Sequence, residues 1–256
     1  MFYRLFLTFD YTSNNNRVSL VIPNGPELAV ALVSVLSRWC VAPINPSKTR
    51  EEIRSELLST KSEAVIILEG SPTNDAALQT ADSANVGVLV ITPNHEVCGL
   101  FSISALRPVI ARASLASVVD NPQTVLVLHT SRTSGKEKRV PYSLETIING
   151  VGCIIASWNL KPSDVCLNMM PLFHIGGIMR NVLSPILSGG CVVTCSSFDP
   201  VLFWDVLYSG QKATWYYAAP TMHHALLMEA ANRPGPLPVE NIRFIANAAG
   251  GLLPGT

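Results

Sequence analysis

The chain has 256 residues, 48% of them hydrophobic and only 14% charged, and its 18 Lys+Arg are balanced by 18 Asp+Glu. That composition excludes a disordered chain and leaves no basic surplus for nucleic acid or an anionic membrane. It suits a soluble protein with a mixed surface, built from helices packed on a largely buried sheet. Six cysteines without a C-x-x-C pair point to a reducing compartment, the cytoplasm. Thiols such as Cys191, in Gly190-Cys191-Val192-Val193, are expected to act as small buried hydrophobes. The most apolar helical stretch, residues 28–40, is too short to span a bilayer and contains Arg38.

Short β-branched runs alternate with amphipathic patterns along the chain. Residues 18–22 predict a strand, and Pro26 opens a helix over 27–38. Thr49-Arg50-Glu51-Glu52 is a capping box, which predicts a helix to about residue 60. A buried strand at 64–68, a helix at 74–84 and a strand at 86–91 follow, and 92–122 reads as irregular. The alternation resumes with a strand at 124–129, a polar loop and a long helix over 143–158. Strands at 165–169, 191–194, 214–218 and 243–248 are separated by helices at 176–187, 200–208 and 221–232. Strand–helix alternation of this kind implies α/β architecture: stacked parallel sheets with helices on both faces.

The densest chemistry follows the strand that ends at His129. The segment Thr130-Ser131-Arg132-Thr133-Ser134-Gly135-Lys136-Glu137-Lys138 combines hydroxyls, a glycine and lysines. Phosphate binding needs such groups: hydroxyl and backbone N–H donors to wrap oxyanions, and a cation to offset their charge. Walker A spacing fails at its first and last positions, and a solvated turn would use the same residue types. His223 and His224 are adjacent on a predicted helix and point about 100° apart, which argues against a shared metal. Trp215, Tyr216 and Tyr217 read as core and pocket wall.

That segment resembles the phosphate-binding signature T-S-G-T-[TS]-G-x-P-K-G-V of the adenylate-forming superfamily. The family includes acyl-CoA synthetases, luciferases and peptide-synthetase adenylation domains. The match falls on Thr130, Ser131, Thr133, Ser134, Gly135, Lys138 and Val140. Further similar motifs follow in the expected order: 20–27 with 41–46, Met170-Pro171-Leu172-Phe173-His174-Ile175-Gly176-Gly177, Ser188-Gly189-Gly190, 213–221 and 242–254. The resemblance implies ATP-dependent activation of a carboxylic acid to an acyl-adenylate, followed by transfer to a thiol such as that of coenzyme A, with Mg2+ alongside ATP. It implies that Thr130, Ser131, Thr133, Ser134, Gly135 and Lys138 hold the β- and γ-phosphates. His174 would lie by the acyl pocket, and the backbone of Ala248, Ala249 and Gly250 would lie against adenine.

Three departures from the family pattern stand out. Arg132 replaces a glycine, adding bulk where a ligand approaches backbone closely; its guanidinium either obstructs the phosphates or binds them. Glu137 and Arg139 replace proline and glycine. The Y-G-x-T-E segment, the ribose-binding aspartate and the small C-terminal domain are expected beyond residue 256. The chain is therefore expected to be a partial large domain, either an incomplete fragment of a ligase or a non-catalytic remnant that binds nucleotide or acyl ligand weakly or not at all.

Overall fold

β-branched residues fill the strand cores, and most helices between them turn one apolar stripe inward. The computed structural model describes residues 17–108, 124–130 and 138–252, and the chain divides into two units, Met1–Ile148 and Asn149–Thr256. The first contains β1 (Arg17–Val21), α1 (Pro26–Leu36), β2 (Cys40–Pro43), α2 (Arg50–Thr60), β3 (Ala64–Leu68), α3 (Asn74–Ala84), β4 (Gly87–Pro93), β5 (Phe101–Arg107), β6 (Thr124–Thr130) and β7 (Lys138–Ser143). Its sheet runs β5-β4-β3-β1-β2-β6-β7. The five inner strands pair in parallel, and β5 and β7 close the two edges antiparallel. Ser19 and Val21 look toward α2 and α3, while Val18 and Leu20 are equally buried on the other face. The sheet is thus covered on both sides, as parallel sheets require.

Local sequence explains the helix ends. Thr49 caps α2 by accepting the Glu52 N–H, and Glu52 reaches back to the Thr49 N–H at 2.8 Å, completing the capping box. Helices α2 and α3 both stop at left-handed residues, Lys61 and Asn85. In α1 the buried residues Leu28, Ala31, Leu32 and Val35 recur at helical spacing.

Two expected non-strand stretches are strands. Residues 92–122 contain β5, with Phe101 and Ile103 buried and Ser102 and Ser104 exposed; residues 109–123 lie outside the described residues. The polar loop leads into β7 rather than directly into a helix, so it is a strand-to-strand hairpin. Pro141 is tolerated there because β7 is an edge.

The second unit takes in residues 149–158 of α4 (Leu144–Trp158), then β8 (Val165–Asn168), a π-helix (Gly177–Leu183), α5 (Ser184–Leu187), β9 (Cys191–Thr194), α6 (Pro200–Tyr208), β10 (Trp215–Ala218), α7 (Pro220–Ala230) and β11 (Phe244–Asn247). All four strands are parallel, in the order β11-β10-β8-β9. Leu167 packs with α6 and α7, whereas Cys166 and Trp215 pack with α4, so helices cover both faces here too. Cys191 is exposed, against expectation: β9 is an edge strand and leaves it uncovered.

The amino ends of these strands are tied by one ion pair. Asp164 is 3% exposed and takes Arg243 Nη2 at 2.6 Å and Nε at 3.0 Å, the Lys161 N–H at 2.8 Å and the Thr214 hydroxyl at 3.2 Å. Burial pushes the Asp164 carboxyl up, but Arg243 and the other donors outweigh it and leave it below its ordinary 3.8. Removing the guanidinium strands a buried carboxylate, so Arg243→Ala is expected to lower stability by about 2 kcal/mol, read in urea unfolding. A group depressed in the folded state contributes fully above its ordinary value and loses that contribution as pH falls through the lowered value. The acid limb of the stability profile below 3.8 therefore flattens in Arg243→Ala; an unchanged limb would contradict the role assigned to the pair.

Candidate functional site

The hydroxyl-rich segment hangs from the last rungs of a hairpin, His129↔Arg139 and Thr130↔Lys138, at the carboxyl end of β6. Thr130 and Lys138 are exposed, and the Thr130 hydroxyl donates to the Lys138 carbonyl at 3.4 Å. The Lys138 ammonium has no ion-pair partner among the described residues. Ser131, Thr133, Ser134 and Gly135, with Arg132 and Glu137, lie outside the described residues.

Both rails of the hairpin are fastened to the last turn of α2. Arg139 donates from Nη1 to the Ser59 carbonyl at 2.7 Å, and Arg17 donates to the Thr60 carbonyl at 2.9 Å. These are carbonyls that a helix end leaves without internal partners, in the region where its dipole favours cations. His129 Nε2 lies 3.2 Å from the Ser59 hydroxyl and 3.5 Å from that of Thr60. Its other nitrogen is 3.9 Å from buried Glu56, whose second oxygen pairs with Lys48. Sequence reasoning gave no sign of this anchor, because Ser59 lies 70 and 80 residues from its two partners.

In the second unit His174 follows β8 and is exposed. Its N–H donates to the Pro171 carbonyl at 3.3 Å, its carbonyl accepts Ile178 N–H at 3.1 Å, and its ring sits 4.9 Å from Phe173. The turn is compact because Gly177 is pressed onto Pro171: a Cβ there would lie 2.3 Å from the Pro171 carbonyl oxygen. The next residues form the π-helix, where the Ser184 N–H and hydroxyl both reach the Met179 carbonyl, the latter at 2.7 Å. Buried Asn181 donates to buried Asn168 at 2.8 Å, and Asn168 also accepts the Met170 N–H at 2.9 Å. π-helical turns of this kind recur at functional sites.

Residues 248–250 leave the carboxyl end of β11. The Ala248 N–H reaches the Ala218 carbonyl at 3.4 Å, and the Asn247 amide holds the Gly250 carbonyl at 2.8 Å. Ala249 adopts a φ of 70°, a conformation that disfavours a side chain and marks an over-determined turn. A Cβ on Gly250 would meet Pro220 at 3.3 Å. His223 is buried with Nδ1 3.4 Å from the Tyr216 hydroxyl, whereas His224 is exposed, so the two diverge. Among the described residues no group of three or more His, Cys, Asp or Glu could hold a metal ion, and no helix is long and apolar enough to cross a membrane.

Parallel strands covered by helices, with polar turns beyond their carboxyl ends, define an α/β protein, a class whose binding sites gather at those ends. More narrowly, the chain belongs to the AMP-binding enzyme family, whose model matches residues 11–251. The Humulus lupulus protein named "Probable CoA ligase CCL9" is 30% identical over 243 residues, covering 93% of this chain and 45% of that protein. An oxalate–CoA ligase of Arabidopsis thaliana is 28% identical over 242 residues, covering 93% of this chain and 46% of its own length. The chain thus spans about half the length of the curated relatives it matches. Apo MatB from Rhodopseudomonas palustris superposes with a TM-score of 0.71 at 19% identity, over 93% of this chain and 46% of that one. At that identity the likeness shows the fold.

The close approach at Gly177 is directly testable. Gly177→Ala drives a methyl into backbone, and about 2 kcal/mol of destabilisation is expected in thermal or urea unfolding, as for other overpacked sites. A variant as stable as the parent would show that the turn carrying His174 is loosely held.

Proposed function

We propose that this chain supplies the nucleotide- and acid-binding front of the large domain of an acid–thiol ligase. The overall reaction joins a carboxylate oxygen to the α-phosphorus of ATP with loss of pyrophosphate, then passes the acyl carbon to the sulfur of a thiol such as coenzyme A with loss of AMP. Thr130, Ser131, Thr133, Ser134, Gly135 and Lys138 take the β- and γ-phosphates, with Mg2+ entering as the nucleotide's counter-ion. The contribution of these residues is positioning and charge stabilisation rather than covalent chemistry. His174 orients the acid, and the backbone of Ala248, Ala249 and Gly250 lies against adenine. A carboxylic acid is the second partner, and the cytoplasm is the proposed compartment, in keeping with six free thiols.

The observation that carries this reading is the anchored hairpin. Its rails are tied to α2, while Thr130 is exposed and the exposed Lys138 ammonium has no ion-pair partner among the described residues. Support comes from the family match and from the strained turn at Ala249. Titration of MgATP into the chain by calorimetry tests it. Lys138→Ala is expected to weaken binding about tenfold, roughly 1.4 kcal/mol, and Arg132→Gly to strengthen it. A parent chain that takes up no MgATP would overturn the proposal.

A further inference from the structure

The π-helix places a cation where the sequence signals none. The Arg180 guanidinium lies over the Tyr217 ring, 5.0 Å from its centroid. Both side chains converge on Gly176, where a Cβ would meet Arg180 Nη1 and the Tyr217 hydroxyl at 3.3 Å each. Glycine at 176 therefore keeps open the space these two donors share. Most of Tyr217 is buried, at 4% exposure, but its hydroxyl reaches solvent; among the described residues that hydroxyl has no hydrogen-bond partner and Arg180 has no carboxylate partner. A half-buried guanidinium beside an accessible phenol offers donors that an anionic group can take up. Their position fits such a ligand, since Tyr217 lies in the carboxyl half of β10 and Arg180 two residues after Ile178, whose N–H holds the His174 carbonyl.

From this geometry we infer that Arg180 and Tyr217 form a receptor for a second, non-reacting anionic group on the acid, so that the substrate is an acid carrying two negative charges. The inference rests on the reading of the His174 turn as an acid-binding site. A guanidinium clamped on the reacting carboxylate would withdraw the electron density needed for attack, whereas on a distal carboxylate or sulfonate it fixes orientation and leaves the nucleophile alone.

Calorimetric titration of the whole chain with malonate, sulfoacetate, propionate and hexanoate tests the inference. The two dianions are expected to bind at least tenfold more tightly than either monocarboxylate. Arg180→Leu should remove that preference without weakening propionate, Arg180→Lys should restore part of it, and Tyr217→Phe should reduce it less; unchanged circular dichroism shows that each variant folds. Dianions that bind no better than propionate, or a preference that survives Arg180→Leu, overturn the inference. A preference for malonate with none for sulfoacetate keeps it and restricts the distal group to carboxylate. A parallel MgATP titration separates the two claims: dianion binding that depends on Arg180 in a chain that takes up no nucleotide would uphold this inference and sink the nucleotide assignment alone.

Discussion

Ser59 is the point on which the hairpin depends. Its carbonyl receives Arg139 and its hydroxyl meets His129, so the outgoing and returning rails of β6 and β7 are held by one residue at the end of one helix. A strand pair ending in a long polar connection would otherwise fray, because its last rungs have few side-chain contacts to hold them. The interaction also explains a departure from the family pattern. Arg139 stands where the resembled phosphate-loop signature has glycine, and here it serves as a tether. The carbonyls it and Arg17 satisfy are those that a helix cannot satisfy by itself.

The second unit divides structure from chemistry along its strands. At their amino ends Asp164, Thr214 and Arg243 tie the starts of β8, β10 and β11 to one another and to α4. At their carboxyl ends lie exposed His174, the Arg180–Tyr217 pair and the strained turn at Ala249. This asymmetry is general in parallel α/β proteins, where binding sites gather beyond the carboxyl edge of the sheet. It allows strain such as that at Ala249 to be carried at one end, because stability is supplied at the opposite end.

Much of this was readable from residue order. The capping box at Thr49 fixed the start of α2, and alternating β-branched runs located the inner strands, because both signals are local. β5 was legible in principle: Phe-Ser-Ile-Ser alternates with period two, but the segment sits inside a long stretch of mixed polarity. β7 was hidden by Pro141 and two basic residues, which normally mark a turn and are admitted only because the strand is an edge. The Arg180–Tyr217 pair could not be foreseen, since 37 positions separate them and a π-helical turn sets which way Arg180 points. Ser59 escaped notice for the same reason.

The central claim is that the connection between Thr130 and Lys138 grips the triphosphate of a nucleotide. Amide hydrogen exchange, followed by mass spectrometry with and without MgATP, addresses it residue by residue. Slowed exchange across 128–140, with a second protected stretch at 246–251, is the predicted result. Binding of MgATP that leaves 128–140 exchanging as fast as before would contradict the account.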